Sequence, residues 1–157
     1  MNFGEVLLWG FGSTLILTIM MAVSKPLGLT RMDLPFLLGT IFTASRDRAP
    51  WYGFMVHLVI GWIFAFLYAW AFSSSGLHTW WFGVMIGFVH GSFVLSAGLQ
   101  LLAAFHPRMA QPYHGPTPTR QLEPPGFFAL NYGRGTPAVT LLAHLVYGGV
   151  LGFFSGI

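Results

Sequence analysis

The chain has 157 residues, of which 55% are hydrophobic, 17% aromatic and only 7% charged, whereas about a quarter of a soluble domain is charged. That composition excludes an ordinary water-soluble globule, and the lack of cysteine excludes disulfides, thiolate metal sites and cysteine nucleophiles. The net charge of +3 arises from seven basic and four acidic residues, and their placement reads as a membrane-topology signal and contact with anionic lipid, with no nucleic-acid partner.

The first window without Asp, Glu, Lys or Arg runs from Val6 to Val23, 18 residues, just enough to cross a hydrocarbon core of roughly 30 Å. Glu5 precedes it without any basic residue, and Ser24-Lys25-Pro26 is a poor cleavage site, so this segment is expected to stay in the mature protein. The loop that follows carries Lys25, Arg31, Arg46 and Arg48. Within it, Arg31 to Thr43 is largely apolar but too short to span, which predicts an interfacial or re-entrant helix capped by Asp33, with Pro35 in its first turn.

The second window, Trp51 to Phe72, holds 22 residues, and the third, Trp80 to Phe105, holds 26; the connection Ser73 to Thr79 has no basic residue. Next comes a second long loop, His106 to Thr136, with Arg108, Arg120 and Arg134 and with Pro107, Pro112, Pro116, Pro118, Pro124 and Pro125. Such proline density prevents continuous helix, and the low charge argues for an ordered strap on the bundle rather than a disordered linker. The fourth window, Pro137 to Ile157, holds 21 residues.

The predicted fold is therefore all-α, a four-transmembrane-helix bundle forming a single integral-membrane domain over 1–157. All seven basic residues fall in the two long loops, which places those loops in the cytoplasm and both termini outside. Trp51, Trp80 and Trp81 open their spans as interfacial anchors; Trp62 and Trp70 face lipid or stack on a pigment or haem.

The sequence also repeats itself. His57-Leu-Val-Ile-Gly61 returns as His144-Leu-Val-Tyr-Gly148, Gly12-Ser13 as Gly91-Ser92, and Asp33-Leu34-Pro35 as Glu123-Pro124-Pro125, in one order. Two tandem helix-loop-helix repeats, about 1–72 and about 80–157, are expected, related by an axis along the membrane normal with the second span over the fourth. Small residues recur at intervals of four: Gly61 and Ala65, then Gly83, Gly87 and Gly91, then Gly148, Gly152 and Gly156. In lipid, close backbone approach and dispersion hold helices together, so these stripes mark packing within the bundle or self-association of several copies.

His57 and His144 each lie roughly 10 Å inside their spans at 1.5 Å per residue. Intramembrane ionisable groups are expensive and need partners. Three readings of these residues stand side by side: packing with a neutral hydrogen-bonded imidazole, binding of haem or a divalent metal, and a proton or solute path. For metal, the donor set would be His57, His144, Asp33 and Glu123; for haem or metal, His90 in the third span would add a ligand to His57 and His144. His78, His106 and His114 fall in loops or at interfaces and carry no assigned role.

The run His57-Leu-Val-Ile-Gly-Trp-Ile-Phe-Ala-Phe-Leu-Tyr68, then Trp81-Phe-Gly83 with Gly87 and His90, then Ala143-His144-Leu145-Val146-Tyr147, resembles the YagU-like bacterial inner-membrane proteins. The strap Gly115-Pro-Thr-Pro-Thr-Arg120-Gln-Leu-Glu-Pro-Pro125 is similar to segments of other uncharacterised small bacterial membrane proteins. The resemblance implies a bacterial plasma (inner) membrane and no particular reaction. No phosphate-loop lysine follows Gly10-Phe-Gly12 or Gly133-Arg-Gly135, and no serine sits in a nucleophile elbow, so the sequence leans away from an enzyme. The leading expectation is an accessory or structural subunit, packing as a homo-oligomer or against the subunits of a larger membrane complex. A metal or haem binder is the second expectation, and a small oligomeric channel or proton-coupled transporter the third.

Overall fold

The computed structural model describes residues 1–110 and 115–156; Pro112 and His114 of the second loop lie outside the described residues. Four helical spans are long and apolar enough to cross a membrane, as the sequence predicts: Phe3–Ser24, Ala49–Ser75, Trp80–Phe105 and Thr136–Ser155. In chain order the elements are α1 (Phe3–Ser24), α2 (Leu34–Gly39), α3 (Ala49–Ser75), α4 (Trp80–Phe93), a π-helical turn (Val94–Gly98), α5 (Leu99–Phe105), a 3-10 segment (Phe127–Tyr132) and α6 (Thr136–Ser155). α4, the π turn and α5 form the third span without a break.

Local chemistry sets the helix ends. Asn2 and Glu5 form a reciprocal capping box at the start of α1. The Thr79 hydroxyl accepts from Phe82 N–H to start α4, and Gly76, at φ 70°, ends α3 in the left-handed conformation that glycine adopts without strain. Asp33 caps α2 by accepting from Phe36 N–H at 3.1 Å, and Pro35 occupies its first turn, as expected, although the helix is only six residues long.

α6 is central. It packs along α4 on one side and α1 on the other, while α1 packs on α3, and α2 lies against the start of α3. α3 and α4, though joined by a short turn, do not pack backbone to backbone. They meet through aromatic rings near the turn, where Phe72 lies edge-on to Phe82 with centroids 6.0 Å apart.

The glycine stripes are occupied from within. A methyl group on Gly83 would overlap the Gly148 carbonyl oxygen, and one on Gly148 would overlap that of Gly83; Gly87 abuts the His144 carbonyl, and Gly152 lies against Thr79 and Trp80. Gly91 faces His144 and Leu141, Gly156 faces the His78 carbonyl, Gly61 lies on the Thr14 side chain, and Ala65 packs against Gly10. Of the two uses the sequence leaves open for these residues, internal packing is the one seen.

The second loop is an ordered strap over its described part. Ala110 N–H donates to Leu122 O at 2.8 Å and Leu122 N–H to Arg108 O at 3.0 Å, which pairs its two arms. Gln100 holds the Gly126 carbonyl at 2.6 Å, and the Tyr132 hydroxyl donates to the Glu123 carbonyl at 2.7 Å. Phe128 and Ala129 have φ of 50° and 58°, a conformation that costs non-glycine residues energy and is held here with Ala129 fully buried. The two loops are tied together by Arg31, whose N–H donates to Tyr132 O at 2.7 Å and whose guanidinium bonds the Asn131 carbonyl, and by the Thr30 and Thr136 hydroxyls, 2.7 Å apart.

Candidate functional site

Three spans bring their histidines to one place. His57 on α3, His90 on α4 and His144 on α6 are each buried, and the rings of His90 and His144 stand edge-to-face with centroids 4.6 Å apart. Phe64 stacks on His90 at 3.7 Å, Tyr147 lies edge-on to Tyr68 at 5.4 Å, and the Tyr68 hydroxyl lies 3.3 Å from His90 Nδ1. The Tyr147 hydroxyl crosses to α3, donating to the Gly61 carbonyl at 2.6 Å.

Hydrogen bonds fix two of the imidazole tautomers. His144 Nδ1 lies 2.7 Å from the Thr140 carbonyl oxygen, which has no hydrogen to give, so Nδ1 carries the proton and donates it. The Thr18 hydroxyl gives its one hydrogen to the Thr14 carbonyl at 2.7 Å and therefore accepts from His57 Nδ1–H at 2.9 Å. In both rings Nε2 is left as a bare lone pair with no partner among the described residues. An imidazole oriented by its Nδ1–H is the arrangement that presents Nε2 to a metal or to a hydrogen-bond donor.

The three histidines line a cavity of about 210 Å³. It runs from them toward the long loops, between Leu17 and Met21 of α1, Ile60 and Phe64 of α3, and Val94 and Leu99 of the third span. Met32, Leu34 and Leu38 of the first loop and α2 close the loop end. Phe93 of α4, 47% exposed, also lines it. The π-helical turn sits on this wall, widening the helix at Val94 to Gly98; such turns concentrate at functional sites. Thr140 also lines the cavity, and its buried hydroxyl has no partner.

The carboxylates are elsewhere. Asp33 pairs with Lys25 at 2.6 Å and Glu123 with Arg31 at 3.3 Å, at the loop surface. Both line a separate cavity of about 110 Å³ with Arg31, Phe36 and Tyr132, and neither reaches the histidines' cavity. The donor set Asp33, His57, Glu123 and His144 is thus not assembled: its carboxylates remain where water and cations solvate them instead of entering hydrocarbon. Among the described residues, no three of His, Asp or Glu lie close enough to hold one metal ion. The pigment-stacking role open to Trp62 is taken by a hydrogen bond from its indole N–H to the Leu7 carbonyl at 2.9 Å, and Trp70 is exposed.

His106, given no role from the sequence, has one. Its side chain is fully buried, its Nε2–H donates to the Leu37 carbonyl at 3.0 Å, and its Nδ1 accepts Arg108 N–H at 3.1 Å. Arg108 in turn places its guanidinium on the Thr40 and Ile41 carbonyls. Together the pair caps the end of α2 from the second loop. Burial pulls the His106 pKa below its ordinary value, aided by the Arg108 and Arg120 charges and opposed by the Leu37 hydrogen bond. Burial likewise raises the Tyr132 phenol, with Glu123 adding to the shift and Arg31 opposing it. The available sequence signal for the clip is a histidine and an arginine flanking Pro107 at the end of a span.

The chain matches no family model, no curated protein and no solved structure.

Proposed function

We propose that this is a multi-pass protein of the bacterial plasma membrane, both termini outside the cytoplasm, which binds a small lipid-soluble molecule in the histidine-lined cleft and does not transform it. The observation that carries this reading is the cleft itself: an apolar cavity of about 210 Å³ that is lined by all four spans and by three convergent imidazoles. Ligand sites are commonly of this kind, mostly apolar walls with a few oriented polar groups. For scale, a 150 Å³ apolar cavity suffices for a benzene ring.

The accessory-subunit reading drew on glycine stripes free to meet another chain, and every one of those glycines has an intramolecular neighbour. A channel would need a polar path, whereas the cleft wall is almost wholly aliphatic and aromatic beyond the histidines. The deciding experiment is extraction of the protein with its surrounding lipid into polymer-bounded discs, followed by mass spectrometry of bound small molecules and an absorption spectrum of the same sample. A molecule that co-purifies with the wild type and is lost from Val94→Trp, which fills the cleft without replacing a histidine, is the expected result. A Soret band or stoichiometric metal would replace this reading with cofactor binding, and an identical small-molecule profile in Val94→Trp would overturn it.

A further inference from the structure

The polar end of the cleft is chemically selective. His57 and His144 are each committed to Nδ1–H by a bond to an oxygen, so what they show the cleft is an Nε2 lone pair. Beyond the imidazoles the lining is almost wholly aliphatic and aromatic. A ligand head that suits this end must donate a hydrogen to imidazole nitrogen and carry no charge. A ketone, ester or carboxylate brings lone pairs against lone pairs, an ammonium group would carry a charge into an apolar cavity, and a hydrocarbon would leave the buried polar groups unpaired. A neutral hydroxyl group meets both demands.

Resting on the reading of the cleft as a binding site, we infer that its occupant is an apolar molecule headed by a hydroxyl, an alcohol or phenol. Its O–H donates to Nε2 of His57 or His144. The apolar body lies along Leu17, Met21, Phe64 and Leu99, and a molecule with such a body partitions into the bilayer and reaches the cleft from there and not from water. Phe64, stacked on His90, gives a flat face beside the head.

The test uses the full chain in lipid nanodiscs with three probes of nearly one shape: 4-hexylphenol, its methyl ether 4-hexylanisole, and hexylbenzene. Binding is read from the saturable rise in unfolding temperature and from the Nε2 nitrogen shifts of the labelled histidines, each relative to the cleft-filled variants Val94→Trp and Leu102→Trp, which correct for partition into lipid. The phenol is expected to bind roughly tenfold more tightly than the ether, the loss of one buried hydrogen bond with its acceptor left unpaired, and to move the Nε2 resonances. Of His57→Phe and His144→Phe, each keeping a ring in place of an acceptor, at least one should weaken the phenol severalfold and leave hexylbenzene unchanged. Equal binding of all three probes, or phenol binding as in the wild type by both histidine variants, would overturn the hydroxyl assignment while leaving the cleft a binding site. If no probe bound the wild type better than the filled variants, both readings would fall.

Discussion

The two helix pairs of this bundle are built from different materials. α4 and α6 meet backbone to backbone, glycine on glycine, at Gly83, Gly87, Gly148 and Gly152. α1 and α3 meet through side chains: Gly61 lies on Thr14, the Trp62 indole reaches the Leu7 carbonyl, and Thr18 holds His57. With no hydrophobic gain from helix contact in lipid, the first pair relies on dispersion at close approach, and at Gly83, Gly87 and Gly148 the nearest atoms are backbone. The second relies on hydroxyls and rings that rotate. The cleft therefore has one stiff wall, which fixes His90 and His144, and one adjustable wall, which carries His57.

Substituting the stiff seam should have the largest effect. Gly148→Leu drives a side chain into the Gly83 carbonyl, where only a backbone shift makes room, and is expected to cost about 3 kcal/mol or more. Steric-trap unfolding in bicelles measures it, and a cost under about 1 kcal/mol would mean the seam is not stiff. Gly61→Ala tests the adjustable seam. The new methyl meets Thr14 side-chain atoms, which turn away at the expense of their hydrogen bond to the Gly10 carbonyl, so about 1–2 kcal/mol is expected.

The loops that close the cleft should respond to pH. His106 is held neutral, with Nδ1 accepting from Arg108 N–H, and its pKa in the folded protein is below the 6.5 of the free side chain. A group with a lowered folded pKa contributes stability that is complete above its unfolded pKa and is lost as protons bind the unfolded form first. Hydrogen exchange at the Arg108 and Leu122 amides should accordingly quicken as pH falls below 6.5, once the intrinsic pH dependence is removed, and His106→Phe should abolish the dependence. The same slope in His106→Phe would assign it to another group.

What the sequence reveals follows from what the membrane demands. Four spans and their ends are legible to within a few residues, because crossing hydrocarbon requires an uncharged run of about 20 residues whatever the tertiary contacts are. The histidines are legible for the same reason: a lone imidazole at depth stands out. Their company is not. Asp33 and Glu123 hold matched places in the sequence, yet Lys25 and Arg31 keep them at the surface, a matter of loop path that periodicity does not encode. The π-helical turn at Val94 to Gly98 reads as ordinary helix in composition, and the role of His106 depends on α2 carbonyls some 70 residues away, the separation from Leu37 being 69.

A smaller effect is expected at the link between the pairs. Tyr147→Phe removes the α6 hydroxyl that reaches the α3 carbonyl of Gly61 without leaving a buried acceptor orphaned, since that carbonyl also lies within the α3 helix. About 1 kcal/mol is expected, with the aromatic contact to Tyr68 retained. A loss above about 3 kcal/mol would show that the hydroxyl, and not the ring, positions α3, since a single neutral hydrogen bond does not reach that size.

The smallest difference bears on the repeat itself. Gly12 and Gly91 occupy corresponding places in the two halves when the chain is aligned on its repeated motifs, yet a methyl on Gly91 would press on His144 Cβ at 3.0 Å and Leu141 at 3.1 Å, whereas one on Gly12 would meet nothing within 4 Å. Helical Gly→Ala by itself stabilises by about 0.5–1 kcal/mol through the unfolded chain. At Gly12 that gain should appear in full; at Gly91 the crowding of His144 should cancel or reverse it, leaving the two variants about 1 kcal/mol apart. Paired unfolding measurements on Gly12→Ala and Gly91→Ala decide the matter. Equal effects would mean that α1 sits on α3 in the register in which α4 sits on α6, and that the halves are interchangeable at these helices. The expected inequality means that two similar stretches of sequence pack into two different seams, with the cleft lying along their boundary.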